Sequence, residues 1–104
     1  MSKGALFIRH HTKPGKRDEV RRIWEKYARD YVAGSNGQIT YCYCYDDNDP
    51  DAIAVFQLAA DQDSRQDFVK QPWFADYKRE TAALLATPSE FHTATPQWIK
   101  GAAA

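Results

Sequence analysis

Between Gln38 and Tyr45 the chain alternates, with Ile39, Tyr41, Tyr43 and Tyr45 on one side and Thr40, Cys42 and Cys44 on the other. Only a strand makes a period of two continuous, so this segment predicts a β-strand. Ala5 to Thr12 is rich in β-branched and aromatic residues and runs into the turn Lys13-Pro14-Gly15-Lys16, which predicts a first strand with a firm stop. Beyond the turn, Val20, Ile23, Trp24, Tyr27 and Tyr31 recur at helical spacing while Arg17, Asp18, Glu19, Arg21, Arg22, Glu25, Lys26 and Arg29 fill the other face. That amphipathic helix is expected to close near Gly34-Ser35-Asn36-Gly37, where glycine and asparagine tolerate left-handed backbone.

The turn-rich cluster Asp46-Asp47-Asn48-Asp49-Pro50-Asp51 cannot pack, and Ala52 to Ala59 resumes a strand, so the second and third strands should form an antiparallel hairpin. Asp61 or Asp63 can cap a helix that runs to about Val69. Pro72 restarts it, with Trp73, Phe74, Tyr77, Thr81, Leu84 and Leu85 on one face. Pro88 is expected to end that helix, and Ser89 to Thr95 to form a short last strand. Residues 1–100 thus read as one domain, and the small-residue tail 101–104 is expected to fray.

The order β-α-β-β-α-β with right-handed crossovers predicts an α+β fold: a ferredoxin-like, antiparallel four-stranded sheet carrying both helices on one face. The other face is then bare. Phe7 and Ile8, Tyr43 and Cys44, Val55 and Phe56, Phe91 and Ala94 supply apolar groups to both sides, so a second copy is expected to cover it as a homodimer.

Composition narrows the partners. Fourteen Lys plus Arg balance fourteen Asp plus Glu over 104 residues, which leaves no field for a phosphate backbone and argues against nucleic acid. An RNA-recognition module shares this element order, but Ala52 to Leu58 lacks the basic, base-stacking character such a strand requires. No apolar run is long enough to span a bilayer, and Met1-Ser2-Lys3 leads into a strand rather than a signal-peptide core, so a soluble, cytoplasmic protein without a membrane partner is expected. Cys42 and Cys44 stand too far apart along a strand for an easy disulfide and are expected as small, reduced core residues. His10 and His11 point to opposite faces of one strand and cannot share an ion, so no metal site is expected.

Arg9-His10-His11-Thr12-Lys13-Pro14-Gly15-Lys16 leading into a charged helix, the aromatic strand Ile39 to Tyr43, and Phe68-Val69-Lys70-Gln71-Pro72-Trp73-Phe74-Ala75-Asp76-Tyr77 resemble the antibiotic biosynthesis monooxygenase family, including its quinol-oxidising members. The resemblance spans nearly the whole chain. It implies a dimeric α+β barrel with a small pocket in each protomer, oxidation of an electron-rich aromatic by dioxygen, and no bound cofactor. A related haem-degrading branch uses an asparagine, a tryptophan and a helix-borne histidine. Here Asn36 and Asn48 lie in predicted turns and only Trp73 has a counterpart, so haem degradation is the lesser alternative.

Cofactor-free oxidation of a phenol requires a proton acceptor, donors for an oxyanion and a water-poor wall. His10, His11 and Trp73 are the candidate catalytic residues. Trp24, Tyr27, Tyr41, Tyr43, Phe74, Tyr77, His92 and Arg9 are candidates for binding the substrate. A strand histidine also serves as a satisfied structural residue, and the aromatic residues also read as core. For Arg9 the structural account is a pair across the dimer with an acid such as Glu90. A non-catalytic, ligand-binding dimer is the alternative to an enzyme.

Overall fold

A computed structural model describes residues 3–101 of the chain, and the rest of the expected tail, residues 102–104, lies outside them. The elements follow the order read from the sequence: β1 (Gly4–His11), α1 (Arg17–Tyr27), α2 (Arg29–Gly34), β2 (Gln38–Tyr45), β3 (Ala52–Ala59), α3 (Gln62–Asp67), a 3-10 turn (Phe68–Lys70), α4 (Phe74–Ala82) and β4 (Glu90–Ala94). The sheet is fully antiparallel with order β2-β3-β1-β4, the ferredoxin-like arrangement.

Register sorts the side chains. His10 pairs with Ile53, Ile8 with both Val55 and Phe91, and Leu6 with Gln57, while Tyr41, Tyr43 and Tyr45 pair with Gln57, Val55 and Ile53. These residues share the face under the helices, because directly opposed residues project to the same side. Ile8, Val20, Ile53 and Val55 form the buried core there, packed by Leu6, Leu84, Leu85 and the three tyrosines.

Several local expectations give way to tertiary detail. The first helix breaks at Ala28, which is fully buried, and resumes one residue later. Ile39 leaves the tyrosine face because the ladder shifts register between Gln38 and Thr40, a bulge that leaves it about half exposed. The Gly34 to Gly37 turn uses no positive φ. Gly37 instead admits a close approach, since a Cβ there would sit 2.7 Å from Cβ of Ser64. The last helix stops at Ala82 rather than at Pro88. The turns that follow it are tied to the end of β1 and the residues just beyond, with Lys13 N–H donating to the Leu84 carbonyl (2.8 Å) and Ala86 N–H to the His11 carbonyl (2.8 Å).

The acidic cluster between β2 and β3 is organised by arginines. Arg17 donates to the carbonyls of Asp46, Asp49 and Ala52 (3.0, 2.9 and 3.3 Å) and lies over the Tyr45 ring. Within the chain, Arg9 meets Asp46 at 2.7 Å.

The face away from the helices carries Phe7, Arg9, His11, Cys42, Cys44, Phe56, Glu90 and His92. Phe7 is 47% exposed and both cysteines are exposed, so the thiols expected in the core lie on the uncovered face. No helix among the described residues is long and apolar enough to cross a membrane.

Candidate active site

The space between sheet and α4 is not filled. A cavity of about 560 Å³ is floored by Leu6, Ile8, His10, Tyr41 and Gln57 from the sheet. Phe74, Tyr77, Thr81 and Leu85 roof it from the α4 side, and Phe68, Val69, Ser89 and Phe91 complete its lining. The volume falls in the range of small-molecule sites, and the wall is largely apolar with a few polar groups.

His10 is the one histidine of this wall, which also carries Tyr41, Tyr77 and Lys78 as titratable residues. It is 7% exposed, and its Nδ1 lies 2.5 Å from Oγ of Ser89, a residue brought alongside by the β1–β4 pairing. Burial, assisted by the charge of His11, pushes the imidazole down to about 4. His10 is therefore neutral near pH 7. With Nδ1 engaged by Ser89, Nε2 is the nitrogen left for a ligand.

Tyr41 contributes a donor. Its hydroxyl accepts a hydrogen bond from Trp24 Nε1 (3.1 Å), which leaves its own proton free, and burial pushes the phenol up to about 12. Burial pushes Tyr77 and Tyr43 up as well, so all three remain phenols at physiological pH.

Of the residues singled out from the sequence, His10, Tyr41, Phe74 and Tyr77 line the cavity. The others do not. Trp73 sits among Tyr27, Tyr31, Phe68 and Tyr77, with ring centroids 5.3 to 6.4 Å apart, and supports the wall from behind. Tyr27 belongs to the same cluster and donates to Glu80. Trp24 stacks between Tyr41 and Tyr43, and Trp24 and Tyr43 border a smaller outer groove of about 270 Å³ with Arg21, Glu25, Arg29 and Tyr45. Arg9, His11 and His92 project from the opposite face, where His11 Nε2 meets Glu90 at 2.6 Å and His92 stands 3.8 Å from the same carboxylate.

Sequence reasoning missed Gln57, Thr81 and Ser89. Gln57 and Thr81 are 6% and 7% exposed, and the Thr81 hydroxyl has no hydrogen-bond partner among the described residues. Gln57 carried a signal: it is the one amide in the run Ala52 to Leu58, at a period-two position among Ile53 and Val55.

The depressed His10 titration makes stability pH-dependent. The folded chain binds fewer protons at this site than the unfolded chain between pH about 6.5 and about 4, so stability held above the upper value is lost as the pH falls. The loss should total about 3 kcal/mol. Urea unfolding at pH 7.5 and 4.5 is expected to show it, and His10→Gln should shrink the difference between the two pH values.

No family model and no curated protein matches the sequence. Solved structures do match. A candidate antibiotic biosynthesis monooxygenase from Chloroflexus aurantiacus is 25% identical, with a TM-score of 0.79 over 96% of this chain and 98% of its own. A protein of unknown function from Nitrosomonas europaea is 24% identical, with a TM-score of 0.80 over 100% of this chain and 98% of its own. A mutant of SnoaB, a cofactor-independent oxygenase from Streptomyces nogalater, is 16% identical, with a TM-score of 0.80 over 98% of this chain and 100% of its own. The last two speak for the fold alone. Along nearly its whole length, the chain is thus similar in structure to antibiotic biosynthesis monooxygenases and shares their ferredoxin-like α+β fold.

Proposed function

We propose that the chain is a cofactor-independent monooxygenase that oxidises a small electron-rich aromatic, a quinol or polyphenol, with dioxygen in the cavity under α4. The observation that carries this reading is a neutral, buried histidine facing an apolar cavity large enough for a flat ligand. His10 Nε2 takes the proton of a ring hydroxyl, while Nδ1–H donates to Ser89. The resulting anion gives its electrons to dioxygen. For a quinol, one oxygen atom enters the ring to give a hydroxyquinone and the other leaves as water, so the substrate supplies all four electrons. Tyr41 and Tyr77 remain protonated and can donate to the developing oxyanion.

Anaerobic mixing with menadiol or a polycyclic quinol, followed by aeration, tests this. Oxygen uptake should exceed spontaneous autoxidation. A panel without acceleration but with retained ligand binding would favour the ligand-binding reading, which the weak basicity of the buried His10 supports: the imidazole gains a proton readily only beside an anion.

We propose further that a second copy covers the uncovered sheet face. Phe7 and Phe56 lie there with ring centroids 5.1 Å apart, beside the exposed Cys42 and Cys44. Burying such a patch is favourable at about 25 cal/mol per Å² of apolar area. Sedimentation at micromolar concentration is expected to give a dimer, and Phe7→Glu a monomer.

A further inference from the structure

Among the polar residues that line the cavity, His10 and Thr81 fall at one end and Gln57 and Tyr41 at the other. β1 carries His10 near its C-terminal end and Leu6, the register partner of Gln57, near its N-terminal end. Gln57 also pairs with Tyr41, so the amide and the free phenol proton share one end. Thr81 belongs to the other end. It lies one turn before Leu84 and Leu85, which bond and bridge to Lys13 and Thr12 just beyond His10. Ile8, between Leu6 and His10 on β1, and its register partner Phe91 put apolar surface between the two ends.

Thr81 is the least expected member. A helical threonine ordinarily satisfies its hydroxyl on the carbonyl one turn back. Here the Oγ1 is buried without any partner among the described residues, in a side chain that lines the cavity. A buried hydroxyl left unpaired is costly, and a ligand oxygen would relieve that cost.

We propose that Thr81 and Gln57 set the specificity of the cavity: Thr81 donates to the ligand oxygen that faces His10, and Gln57 with Tyr41 binds a second oxygen at the far end. This rests on the reading of the cavity as an aromatic site. Leu6 and His10 are four residues apart on one strand, roughly 13 Å. Strand side chains stand roughly perpendicular to the sheet, so subtracting two hydrogen bonds of about 2.9 Å each from the spacing of the His10 and Gln57 positions leaves about 7 Å between the ligand oxygens. Opposite hydroxyls of a fused two-ring skeleton suit that span better than those of a single ring.

Binding under argon, read by tryptophan fluorescence, tests the assignment without any turnover. The probes are a naphthalenediol with hydroxyls on opposite rings, the corresponding mononaphthol and hydroquinone. The diol is expected to bind about tenfold tighter than the mononaphthol, and Gln57→Leu to erase that difference. Thr81→Val is expected to weaken both naphthols about tenfold while leaving the urea midpoint equal or higher, since it removes an unpaired buried hydroxyl. A merely structural threonine would lower the midpoint and spare affinity. Equal affinity of diol and mononaphthol in the native protein, or unchanged preference in Gln57→Leu, overturns the assignment while the aromatic site stands. Failure of all three probes to bind removes both.

Discussion

Substrate-dependent oxygen uptake is expected to fall about 100- to 10,000-fold when His10 is replaced by glutamine, with binding of the aromatic retained. Glutamine keeps a polar side chain beside Ser89 but offers no basic nitrogen, so the loss should appear in kcat rather than in affinity. The same replacement at His11 is expected to change the rate less than about threefold, because that imidazole lies on the other face of the sheet against Glu90. For the native protein, kcat/KM should decline on the acid side as His10 takes up a proton, with a midpoint near 4. Equal losses at His10 and His11 would remove the cavity from the mechanism.

The largest expected effect on stability is at Ile53. Its side chain has no exposed surface, sits on the central strand β3 between Tyr45 and His10, and packs with Ile8, Val20 and Val55. Ile53→Ala deletes buried carbons and leaves a void that a sheet pinned on both sides cannot close, at a cost of about 2–4 kcal/mol. A domain of this size has about 5–15 kcal/mol in total, so the urea midpoint should drop markedly and the melting temperature by roughly 10–25 °C. Phe91 provides the contrast. It is 62% exposed on the edge strand, and Phe91→Ala should cost less than half as much. A reversed order would mean that the core lies elsewhere.

Much of the architecture was legible from local pattern. The alternation of Tyr41, Tyr43 and Tyr45 placed three phenols on one face, and the structure puts all three under the helices. The element order and the hairpin at Asp46 to Asp51 were equally plain, because turn residues and periodicity act over a few positions. Misreadings occurred where distant segments decide. Cys42 and Cys44 looked like core residues, yet the face they share is covered by neither helix group. Pro72 placed Trp73 beside a helix start, but Phe68, Tyr27 and Tyr31 offered it an aromatic nest outside the cavity.

The sequence by itself determined that His10 and His11 must point to opposite faces, since successive residues of any strand do so. Which of them meets a cavity was decided only by tertiary structure. Ser89 reaches His10 across 79 positions of sequence because β4 pairs with β1, and Thr81 joins the same end because the turns that follow α4 are bonded to the end of β1 and the residues just beyond. Local propensity sets the direction of a side chain, whereas long-range pairing sets its neighbours, and chemistry depends on the neighbours.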